Sequence, residues 1–136
     1  MLFLATAPRL LILVSRYHLL VTNLMLAKAL NAAAAVFKAW DVRWFCGIHE
    51  LLWILEVLPP CYSAVLVLGA VLRGDTEHAV LLGYSFYRSC LYRPVVSFVV
   101  VADTKEAVWR KVFATHVNSL AQAMCCIVSR NCGLLV

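Results

Sequence analysis

The sequence predicts an all-α fold: a small multi-pass membrane helical bundle with three spanning helices and an N-terminal helix that is either amphipathic or spanning. Three observations predict it. The chain of 136 residues is 64% hydrophobic and 14% charged, whereas a soluble domain is about 45–50% apolar and about 25% charged. Val112 to Ser129 runs eighteen residues without Asp, Glu, Lys or Arg, and as a helix that is about 27 Å, close to a bilayer core. Residues 51–72 hold Glu56 as their only charge.

Taken in order, residues 9–38 form the segment open to two readings. Arg9, Arg16, Asn23, Asn31 and Lys38 fall within about an 80° arc of one helix, with an apolar remainder. Such a helix lies in the interface with its basic stripe toward headgroups, or it spans with the stripe toward other helices. Lys28 lies off the stripe. Segments 51–72 and 79–102 read as a hairpin of two spans around the charged turn Arg73-Gly74-Asp75-Thr76-Glu77-His78, and 108–129 as the last span. Val95 to Val101 is β-branched like a strand, but an open strand edge cannot face lipid, so it reads as helix. Lys38 and Arg43, then Lys105, Arg110 and Lys111, mark one side as basic. The whole chain, 1–136, reads as one integral membrane domain.

The residues that need partners are the polar ones inside these spans. Arg88 is ten residues past His78, about 15 Å into a core of about 30 Å. A central arginine costs about 2.5–3.5 kcal/mol, so Arg88, Ser63, Asn118 and Asn23 are expected to form a layer of intramembrane polar contacts. Glu56 and Arg93 lie at similar depth near the basic side and suit an ion pair. Pro59, Pro60 and Pro94 are expected to kink their helices, because proline removes a donor and clashes with the carbonyl four residues earlier.

Other chemistry finds little support. The six cysteines, at 46, 61, 90, 125, 126 and 132, show no zinc or disulfide spacing, although Cys125, Cys126 or Cys132 offers a lipidation site. His49-Glu50 lacks the second histidine of a zincin helix. Arg73-Gly74-Asp75 reads as turn chemistry rather than an adhesion tripeptide. No cofactor and no metal is expected, and the net charge of +5 points to anionic lipid rather than nucleic acid.

Glu56, Pro59 and the run Tyr84-Ser85-Phe86-Tyr87-Arg88 with Tyr92 resemble the family of ER and nuclear-pore membrane proteins that includes Krüppel homologue 2. Val95 to Val101 stands where that family has a polar segment. The resemblance implies a membrane-organising role. Arg88 at the midplane with no acid of its own chain at that depth, the Glu56/Arg93 pair and the polar stripe make the expected function a non-catalytic accessory or scaffold subunit of a larger membrane complex, not an enzyme. Its expected partners are the bilayer and a membrane protein or further copies of itself. A small transporter or channel protomer and a membrane-shaping hairpin are the alternatives, in an ER, endomembrane or mitochondrial inner membrane.

Overall fold

A computed structural model describes residues 9–72 and 95–114. The described chain alternates strand and helix: β1 (Arg9–Ser15), α1 (Leu19–Val36), β2 (Ala39–Phe45), α2 (Ile48–Glu56), β3 (Ala64–Leu72), β4 (Val95–Ala102) and α3 (Lys105–Ala114). The strands form one parallel sheet in the order β2-β1-β3-β4. The fold is therefore α/β, and the expected all-α bundle is wrong. Among the described residues, no helix is long and apolar enough to cross a membrane.

The physical reason is double-sided burial. Leu10 to Val14 of β1 and Ala64 to Leu68 of β3 are buried without a break, because these central strands carry helices on both faces. Leu10, Ile12, Val14, Leu66 and Leu68 pack with α1 and α3, while Leu11, Leu13, Val65 and Val67 pack with α2. Such a strand reads as a continuous apolar run, the same signal a buried helix gives. Segment 51–72 is thus α2 plus β3, segment 9–38 is β1 plus α1, and the valine run after Pro94 is β4. The expected span 108–129 begins inside α3.

Local chemistry sets the element ends. On α1, Val21, Met25, Ala29, Ala32 and Ala33 are buried at the spacing of one helical face, and its alanines allow a close approach to the sheet. Phe37 ends it in extended backbone, donating its N–H to the Ala33 carbonyl at 2.7 Å. α2 buries Leu51, Ile54 and Leu55 and exposes Trp53. It stops at Glu56, and Pro59 and Pro60 lie in the connection to β3. They punctuate a loop and kink no helix. Pro94 lies outside the described residues.

The proposed interfacial stripe is dispersed by the same reinterpretation. Arg9 is in β1, Arg16 follows it in a loop, Asn23 and Asn31 are exposed on α1, and Lys38 is exposed before β2. Lys28, placed by sequence near a span's centre, is half-buried on α1 and donates to the Val112 carbonyl of α3 at 2.8 Å. A cation there complements the carbonyl-rich last turn.

Candidate functional site

The four described strands are parallel, so their carboxyl ends share one edge of the sheet. The chain moves from β1 outward to β2, then returns past β1 to β3, and helices α1 and α2 accordingly cover opposite faces. The reversal lies between β1 and β3, and ligands of open α/β sheets bind outside the carboxyl ends at such a point.

The loop after β1 is short and fixed by hydrogen bonds. Arg16 N–H donates to the Phe45 carbonyl at 2.9 Å, tying the ends of β1 and β2 together. Tyr17 N–H donates to Ser15 Oγ at 3.1 Å. His18 then takes φ 56° and ψ 56°, a left-handed conformation that costs an L-residue about 1–2 kcal/mol. That bend starts α1 and leaves the Tyr17 ring 52% exposed, against the imidazole at a centroid distance of 4.1 Å. His18 Nε2 is buried and has no hydrogen-bond partner among the described residues.

The loop after β2 leads into α2 through exposed Cys46 and Gly47. Glu50 Oε2 accepts Cys46 N–H at 2.9 Å, a reach-back from the helix's first turn that resembles a capping box. A methyl group added at Gly47 would meet nothing within 4 Å, and its φ of −159° is open to any residue. Space and first-turn amides therefore adjoin at this helix start. His49 is exposed beside them. After β4, Thr104 Oγ1 accepts Ala107 N–H at 3.1 Å and caps α3. A cavity of about 230 Å³ lies between the starts of α1 and α3, lined by His18, Leu19, Leu20, Val21, Lys105, Val108 and Trp109.

A second polar cluster sits at the amino edge, away from these loops. Arg9 forks onto Asp41 with Nε–Oδ2 3.1 Å, Nη2–Oδ1 3.1 Å and Nη2–Oδ2 2.9 Å. Tyr62 donates its hydroxyl to Asp41 Oδ2 at 2.6 Å. The Tyr62 and Arg9 hydrogen bonds hold the Asp41 pKa below its ordinary value. The bond to Asp41, followed by burial, raises that of Tyr62, and Arg9 is raised by its bond to Asp41. Ser63 N–H donates to the Arg9 carbonyl at 2.9 Å. Arg9 and Ser63, both singled out by sequence for membrane roles, thus meet at a sheet edge instead.

Of the other expected polar contacts, Asn23 is exposed on α1 and Glu56 exposed at the end of α2. Arg88, Arg93, Asn118, the 73–78 turn and Cys90, Cys125, Cys126 and Cys132 lie outside the described residues. Among the described residues, no three His, Cys, Asp or Glu side chains are grouped to hold a metal. Sequence reasoning missed Tyr17, His18, Gly47, Glu50, Asp41 and Tyr62. The available signal was the polar break Ser15 to His18 between a short apolar run and an amphipathic helix.

The model of the 6,7-dimethyl-8-ribityllumazine synthase family matches residues 7–129. The chain belongs to this family. Relatives named 6,7-dimethyl-8-ribityllumazine synthase in two strains of Prochlorococcus marinus, MIT 9313 and MIT 9303, are each 35% identical over 83 residues, covering 54% of this chain and 50% of theirs. The chain therefore spans about half the length of the curated relatives it matches. Membership in this lumazine synthase family overturns the expectations of a membrane scaffold, a transporter and a membrane-shaping hairpin. With them go the bilayer and membrane-protein partners, the multi-pass membrane location and the likeness to the Krüppel homologue 2 family. The relatives bear an enzyme's name, so the expectation of a non-enzyme falls as well.

Proposed function

We propose that this chain makes 6,7-dimethyl-8-ribityllumazine at the carboxyl edge of its sheet. The observation that carries the reading is the family match across residues 7–129, which takes in every described element. The named product is a flat bicyclic heterocycle bearing two methyl groups and a ribityl chain. Disconnecting its two outer-ring C–N links leaves a ribitylamino-pyrimidine with a second amine and a four-carbon unit at the oxidation level of a vicinal dicarbonyl. Joining these forms two carbon–nitrogen links and releases two waters, with proton transfers to and from nitrogen and oxygen.

The edge offers groups suited to that work. The half-exposed Tyr17 ring supplies a flat face for the heterocycle. The open space at Gly47 and the first-turn amides of α2 receive polar atoms, and Glu50, held through Oε2, has Oε1 left for ribityl hydroxyls. Imidazole suits proton transfer near neutral pH, and His49 carries one at this edge. The sequence that follows β3, Arg73 to His78, adds an arginine, two acids and an imidazole. These residues are outside the described set, and their part is tested by substitution.

The test is turnover by the full chain, followed by the absorbance of the conjugated product. Wild type should form product faster than the uncatalysed mixture. Gly47→Val, which fills open space without touching the core, should keep the fold by circular dichroism and lose product binding. Wild type that neither forms nor binds the product, or Gly47→Val with unchanged binding, defeats the reading.

A further inference from the structure

We propose that the cavity between the starts of α1 and α3 is a second ligand site, taking a small molecule with a flat apolar body and one anionic group, an aryl phosphate or aryl carboxylate. The inference does not rest on the synthase reading. Its volume of about 230 Å³ equals roughly eight waters at about 30 Å³ each, enough for one aromatic ring and its charged substituent. Leu19, Leu20, Val108 and the Trp109 indole line it with apolar surface, which suits a ring.

Three features set the sign of the charge. His18 lines this wall, and its Nε2 is buried without a partner among the described residues, a cost of about 1–3 kcal/mol that a rotation of the ring toward the cavity relieves once an acceptor is bound there. As the N–H tautomer it donates to an anion's oxygen. Lys105 lines the same cavity and forms no ion pair among the described residues. α1 has neither an acidic residue in its first turn nor a side-chain cap, so its leading amides add positive potential. Among the described residues no carboxylate lines the cavity, so they offer a cation no partner there. The open space at Gly47 adjoins the start of α2, the helix that covers the other face of the sheet, which makes this a separate site.

The probe is phenyl phosphate, titrated into the full chain and followed by tryptophan fluorescence, with benzyl alcohol as the neutral comparison. Lys105→Met removes the cation. Leu20→Asp places an acid in the first turn of α1 at a residue 76% exposed, where it supports the helix while repelling the ligand. Phenyl phosphate should bind saturably and more tightly than benzyl alcohol. Each variant should weaken it by about tenfold, the scale of one charge-assisted contact, with turnover unchanged in both and benzyl alcohol binding unchanged in Lys105→Met. Any of three results overturns the proposal: no saturable binding to wild type, binding to either variant as tight as to wild type, or displacement by 6,7-dimethyl-8-ribityllumazine, which would put the probe at the proposed synthase site instead.

Discussion

Replacing His18 by glycine should make the protein more stable and less active, and the magnitude follows from the loop's geometry. At φ 56° and ψ 56° an L-residue pays about 1–2 kcal/mol that glycine does not. Glycine in turn loses about 0.5–1 kcal/mol more backbone entropy on folding. The Tyr17 ring contact is worth about 0.5 kcal/mol at the lower end of aromatic pairs, and its loss is covered by release of the buried, unpartnered Nε2, about 1 kcal/mol. The balance favours His18→Gly by about 0.5–2 kcal/mol. His18→Ala keeps the left-handed penalty and should fall near wild type. Thermal melts at fixed protomer concentration should therefore rank Gly above Ala, with a rise in Tm of about 2–7 °C for a chain of this size. Turnover should fall in both, because the imidazole that backs Tyr17 is gone. Alanine equal to or better than glycine would refute the strain argument. Full activity in His18→Gly would refute its link to the site.

Asp41 carries a pH signature. Its folded pKa is depressed below 3.8 by the Tyr62 and Arg9 hydrogen bonds, so its contribution is present above that value and is lost as pH falls through the folded pKa. In denaturation midpoints against pH, the gap between wild type and Asp41→Asn should stay constant from neutral pH to the ordinary carboxylate range and close below it. Tyr62 shifts the other way: its folded pKa lies above 10.0, so its contribution is full below that pH and is lost as pH rises through the folded value, a basic limb that Tyr62→Phe should abolish. Leu66→Ala, at a fully buried position in the middle of β3, should cost about 2–5 kcal/mol in urea unfolding.

How much of this was legible follows from which residues face what. The apolar runs were read correctly as buried, and their surroundings were read wrongly. Leu10 to Val14 and Ala64 to Leu68 hide one set of side chains under α1 and α3 and the alternate set under α2. That erases the period of two that marks a half-exposed strand and leaves an uninterrupted run that a bilayer would also explain. Length was the discriminating evidence. Strand β1 is seven residues long and ends at Ser15-Arg16, and β3 is nine and follows Pro59-Pro60, lengths too short to span and normal for a strand. β2 gave the plainer hint. As an edge strand it leaves Asp41 half-buried and Val42 and Arg43 exposed, which no lipid-facing helix would do.

The site was hidden for a different reason: its members are close only because the strands are parallel. Each described strand that carries a polar turn at its carboxyl end contributes a few residues, Arg16 to His18 after β1, Cys46, Gly47 and Glu50 after β2, and Thr104 after β4. None of these makes a motif alone. In a helical bundle successive turns fall on alternate ends, so the same residues would be divided between two surfaces. In this sheet every strand points the same way, and the turns gather on one edge while connections such as Pro59-Pro60 and Lys38 collect on the other. The fold class therefore decides whether those residues constitute a site. An incorrect class scatters them, and the parallel register gathers the turns that carry Tyr17, His18, Gly47 and Glu50 on one edge of the sheet, where the proposed heterocycle would meet both an aromatic ring and polar groups.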